Sequence, residues 1–144
     1  MKERFRFQGL EIWKKGIEIG EVLFSIADEL ENRRLFRFAE QLRGAGLSVS
    51  NNIAEGSGSI SNKDFANFLN FARRSVFENA NMIVVFSRKG LIPEEQAENL
   101  LVLLDKESQM ITAFAKTLHR RQTLKLLCLG VFLTATLSFL LKVL

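Results

Sequence analysis

Between Gln41 and Gly58 the chain scans at helical period, yet it is built from small residues and a few uncharged polar ones. Ordinary surface helices do not read this way. Ala45, Gly46 and Ala54 carry almost no side-chain bulk, so a neighbouring helix can approach closely there. Gln41, Ser48, Asn52 and Glu55 follow at steps of seven, four and three, which sets them on one helical face beside Leu42, Val49 and Ile53. A polar stripe so placed must face water or pair with polar groups on another helix. The stretch closes on Glu55-Gly56-Ser57-Gly58, which reads as a C-terminal glycine signal followed by a turn. A close-packed helix of this kind needs helical partners.

The rest of the chain supplies them. Ile12, Trp13, Gly16, Ile17, Ile19, Leu23, Phe24, Ile26, Ala27 and Leu30 recur at threes and fours, which predicts a helix from about Gly9 to Leu30. A second spans roughly Arg34 to Glu55, with Leu35, Phe38, Leu42, Ala45, Val49 and Ile53 inward. Ser61-Asn62-Lys63-Asp64 is a capping signature for a third, which carries Phe65, Phe68, Leu69, Ala72, Val76, Met82, Ile83 and Phe86 to a stop near Lys89-Gly90. Pro93, Glu94 and Glu95 suit the first turn of a fourth, continuing through Leu100, Leu104, Ile111, Phe114 and Leu118. No alternating strand pattern competes. Short connections between long helices predict an all-α fold, an antiparallel up-and-down four-helix bundle over residues 1–121. Phe71, Phe77, Val84 and Val85 widen the apolar stripe of the third helix, and the first is apolar round more than half its girth. Apolar residues on two faces imply a second partner, here self-association.

Beyond Glu107 there is no acidic residue, while Lys116, Arg120, Arg121 and Lys125 accumulate ahead of an uncharged run from Leu126 to Leu141. Sixteen helical residues reach roughly 24 Å, and snorkelling Lys125 and Lys142 extend the span toward the ~30 Å of a hydrocarbon core. Gly130, Thr134 and Ser138 make a small-residue ridge suited to packing membrane helices. Residues 122–144 therefore read as an added hydrophobic helix, a membrane tail with the bundle held on the cytoplasmic side by the basic cluster. The alternative is a fifth helix packed in a soluble cytoplasmic protein. The charged start, Met1 to Arg6, has no apolar core of a secretory signal. Cys128 is the single cysteine, which leaves neither a disulfide framework nor a cysteine zinc site.

Gln41-Leu42-Arg43 with Ser48-Val49-Ser50-Asn51-Asn52-Ile53-Ala54-Glu55-Gly56, followed by Asp64-Phe65, Phe68-Leu69, Ala72, Ser75 and Glu78, resembles the bacterial four helix bundle protein family. That family includes the proteins encoded in intervening sequences of 23S rRNA genes, and is related to the accessory variability determinant proteins of diversity-generating retroelements. Phe7 to Trp13 fits the family's opening, and the resemblance runs from about Phe5 to Leu118. Where the family pattern usually has two bulky or basic residues, this chain has Gly44 and Gly46. The resemblance implies a homo-oligomeric ring, a pentamer, and as partners RNA or a nucleic-acid enzyme such as a reverse transcriptase.

Chemistry-bearing residues are sparse. His119 sits among Lys116, Arg120 and Arg121 and reads as a surface histidine. Glu55 and Glu78 lack the further carboxylates and histidines of a di-metal bundle. Gly56-Ser57-Gly58 has no following lysine to cradle phosphate, and Ser48 and Ser75 have no base partner. The reading is non-enzymatic, without cofactor or metal. Gln41, Ser48, Asn52 and Glu55, with Ser75 and Glu78 opposite, are expected to hydrogen-bond between the second and third helices and fix their register. The cations Arg33, Arg34, Arg37 and Arg43, with Arg73 and Arg74 on the third helix, are the candidate nucleic-acid contacts. The net charge of +4 is modest, but a ring would repeat them into a belt for phosphates. No aromatic-interleaved basic motif is evident and nothing points to base-specific reading, so weak sequence preference and strong salt dependence are expected.

Overall fold

A computed structural model describes the backbone of residues 2–143 and the side chains of residues 2–118 and 120. A 3-10 turn, Arg6–Gly9, leads into α1 (Glu11–Asn32), α2 (Phe36–Ser57), α3 (Asn62–Arg88) and α4 (Glu94–Val143). There is no strand among the described residues. Each helix packs along the one before it, and α4 returns to touch α1 only lightly, which closes an up-and-down four-helix bundle. The predicted stripes meet at the centre. Leu23, Ile26 and Leu30 of α1, Leu42 and Ile53 of α2, Phe65, Leu69 and Ile83 of α3, and Leu100, Leu104 and Ile111 of α4 are almost wholly buried. Each such side chain contributes about 1.5–3 kcal/mol by leaving water.

The small residues set the helix spacing. Gly46 lies so close to α1 that a Cβ there would stand 3.2 Å from Cδ1 of Leu23 and 3.9 Å from Cα of Gly20. Gly44, by contrast, faces open space. A Cβ on Gly56 would meet Cβ of Phe68 at 2.5 Å and Cδ2 of Phe65 at 2.7 Å. Gly56 thus serves the crossing of α2 over α3 from within the helix. It does not cap it: α2 runs on to Ser57, and Gly58 closes it with φ −80 in the right-handed region.

Capping fixes the start of α3 and the ends of α1 and α3. The Ser61 hydroxyl accepts from the Asp64 amide at 3.0 Å and starts α3. At the opposite end α1 and α3 stop in the same way. Leu35 N–H reaches back to Leu30 C=O and Arg34 N–H to Glu31 C=O; Leu91 N–H reaches Phe86 C=O and Gly90 N–H reaches Ser87 C=O. Both are six-to-one, five-to-two turns that require a left-handed residue. Gly90 takes that role with φ +63, and Arg34 takes it with the same φ.

Candidate nucleic-acid interface

Those two turns lie side by side. The Arg33 guanidinium donates to the Leu91 carbonyl at 2.7 Å and ties the α1–α2 turn to the α3–α4 turn. Arg33, Arg34 and Arg37 thereby share one end of the bundle with Arg88 and Lys89 at the close of α3, and all five are exposed. Acid is present at that end too, since Glu94 and Glu95 open α4 there. Between Arg34 and Gln41 the surface is hollowed into an open groove of about 680 Å3, walled by Leu35, Phe36, Arg37, Phe38 and Glu40. Phe38, expected inside, is 48% exposed and stands edge-on to Phe86 at 5.5 Å between centroids. The start of α2 lies beyond the deepest part of the core, so only one side of that ring finds cover.

The other candidate cations are placed differently. Arg43 donates to both Asp28 and Glu31 of α1, and these hydrogen bonds raise its pKa, so two carboxylates share its charge. The Arg73 guanidinium lies 4.7 Å from the ring centroid of Phe77, with Nε buried and unpartnered. Arg74 borders a separate groove with Asn52, Phe71, Ser75 and Glu78. Fourteen residues of α3 separate Arg74 from Arg88, roughly 21 Å of helix. The structure gathers Arg33, Arg34 and Arg37 and leaves Arg73 and Arg74 along the flank.

The polar stripe bonds largely within helices. Ser48 donates to Gly44 C=O at 2.8 Å, Asn52 to Ser48 C=O at 2.7 Å, and Ser75 to Phe71 C=O at 3.3 Å. Gln41, Glu55 and Glu78 are exposed. The bond that joins α2 to α3 comes from Asn79, whose amide donates to Ala45 C=O at 2.9 Å and Ser75 C=O at 2.8 Å from a wholly buried position. Glu107 of α4 is also wholly buried, and neither carboxylate oxygen has a hydrogen-bond partner. Burial pushes its pKa up to about 8, Lys15 of α1 opposing the shift and Glu18 adding to it. Both residues were visible as polar letters in core register: Asn79 falls between Val76 and Ile83, Glu107 between Leu104 and Ile111.

Among the described residues no three His, Cys, Asp or Glu side chains gather as metal ligands, and no helix is long and apolar enough to cross a membrane. The side chains of His119, Cys128, Thr134 and Ser138, and all others of the hydrophobic segment 122–144 read as a tail with its Gly130 ridge, lie outside the described residues; only the backbone of that segment is described, as the continuation of α4 to Val143.

A model of the 23S rRNA-intervening sequence proteins matches residues 8–113. The chain is similar to a crystal structure of a protein of unknown function from the S23 ribosomal protein family of Bacteroides thetaiotaomicron, with a TM-score of 0.69. The two are 24% identical over 73% of this chain and 98% of that one, a likeness of fold. No curated protein matches the chain.

Proposed function

The chain belongs to the 23S rRNA-intervening sequence protein family, and from that premise we propose that it is a non-enzymatic, oligomeric scaffold that engages RNA, or an enzyme acting on nucleic acid, through basic surfaces. The observation that carries the reading is the joined turn end, where Arg33, Arg34 and Arg37 stand exposed beside Arg88 and Lys89. Guanidinium groups so placed hold phosphates at any sequence. Self-association is supported by α3, whose Phe71, Phe77, Val84 and Val85 stay 40% to 56% exposed outside the bundle core. A head-to-tail contact that closes makes a ring, and the family resemblance makes it one of five. The basic end then recurs around the symmetry axis and its field sums.

Structured RNA should bind with little sequence preference and lose affinity steeply with salt. Reversing Arg33, Arg34 and Arg37 together to glutamate should abolish most of that binding and lower stability only by the lost Arg33–Leu91 hydrogen bond, about 1–3 kcal/mol, since the other two exposed charges add little. RNA affinity unmoved by the triple variant would remove this surface from the account.

A second reading is favoured by the uncharged run Leu126–Leu141 between Lys125 and Lys142. In it the bundle is the oligomerisation device of a membrane effector, tethered to the inner membrane by its C-terminal segment and packed along Gly130, Thr134 and Ser138.

A further inference from the structure

The α1–α2 turn reads Arg33-Arg34-Leu35-Phe36-Arg37-Phe38, cations alternating with apolar and aromatic side chains. The fold uses only part of it. Arg33 is bonded to Leu91, Leu35 packs against the core, and Phe38 leans on Phe86. Arg34, Phe36 and Arg37 remain. Phe36 is 59% exposed, pairs with no other ring among the described residues, and lines the groove together with the two arginines. An open aromatic face takes any nucleobase by stacking, while flanking guanidinium groups take the phosphates on either side.

Arg34 supplies a second, independent observation. The matching turn at the end of α3 has the same hydrogen bonds and the same φ, filled by Gly90. Glycine meets that conformation without a Cβ clash, and arginine does not. The turn has no need of the guanidinium, yet it presents one at the lip of the groove. Duplex RNA keeps its bases stacked inside and offers Phe36 nothing, whereas loops and free ends offer unpaired bases.

We propose that Phe36, flanked by Arg34 and Arg37, is a stacking platform for an unpaired base of single-stranded RNA. This rests on the RNA-binding reading above and specifies the form of RNA. Fluorescence anisotropy on the full chain, with a short unstructured RNA and a duplex of the same sequence, tests it. Phe36→Leu should weaken single-strand binding about fivefold or more and leave duplex binding unchanged, with Phe36→Tyr restoring it. Arg34→Gly, which the turn accepts, should also weaken the single-strand complex. Equal losses for both RNAs, or no loss for either, overturn the platform. A lowered sedimentation coefficient with RNA affinity intact would show a second copy on this ring instead. If wild-type protein binds neither RNA, the RNA reading itself falls; if it binds both and Phe36→Leu is silent, only the platform does.

Discussion

Two residues hold conformations or charges that the fold alone would avoid, and each makes a prediction. Glu107 has an ordinary pKa of 4.5 when unfolded and about 8 when buried. Between those values the unfolded chain has lost the proton that the folded chain keeps, so unfolding releases a proton and stability falls as pH rises. The loss is complete above pH 8 and of order 5 kcal/mol at most. Glu107→Gln should therefore gain over wild type as pH climbs from 5 to 9, read by denaturant melts at each pH; parallel curves would contradict a buried, unpartnered acid. Arg34 differs in kind. Its left-handed backbone costs about 1 kcal/mol that glycine does not incur, so Arg34→Gly should raise the melting temperature while RNA affinity drops. Arg34 reads in the sequence as one more cation until its backbone angle is known, whereas Glu107 already stands in core register and only its lack of a partner needs the packed bundle.

At the scale of the helix, spacing was a good guide where the core is deep and a poor one at helix ends. The four stripes and the excess apolar residues on α3 follow from residue period, and the Ser61 cap from its capping signature. Phe38 did not follow, because period places a residue on a face without saying how far along the helix the core extends. Arg33, Arg34 and Arg37 were marked as phosphate contacts, but the aromatic part of that surface was not read, Phe38 being assigned inward and Phe36 to neither face. Gly56 looked like a stop signal, yet it is an interior contact, since only the packed α3 reveals what fills the space beside it. That contact is stiff: Cβ of Phe68 belongs to the backbone frame and cannot rotate away. Gly56→Ala should cost about 1–3 kcal/mol from overpacking, outweighing the gain of up to ~1 kcal/mol in helix propensity. A stabilised Gly56→Ala variant, seen by calorimetry, would mean the two helices can part there freely. About three turns away along the same helix pair, small α2 residues likewise let the Asn79 side chain of α3 reach the Ala45 carbonyl.

On the whole-molecule scale, the bundle explains a basic end and an uncovered apolar flank, and the proposed oligomer would connect them. The C-terminal run makes its own claim. Leu133→Arg adds about 2.5–3.5 kcal/mol to insertion at a membrane centre, so on the tethered reading it moves the protein from membrane pellet to supernatant; identical fractionation of the two chains would reject the tether. The central claim is an oligomer that carries RNA on its basic ends. Sedimentation velocity of the full chain with labelled single-stranded RNA, detergent mass subtracted, addresses both halves at once. The account predicts that at low salt the label moves with a species several times the 16.4 kDa protomer, and that high salt frees the RNA while the oligomer persists. Protein sedimenting as a single protomer, with the RNA label free at every salt concentration, would contradict it.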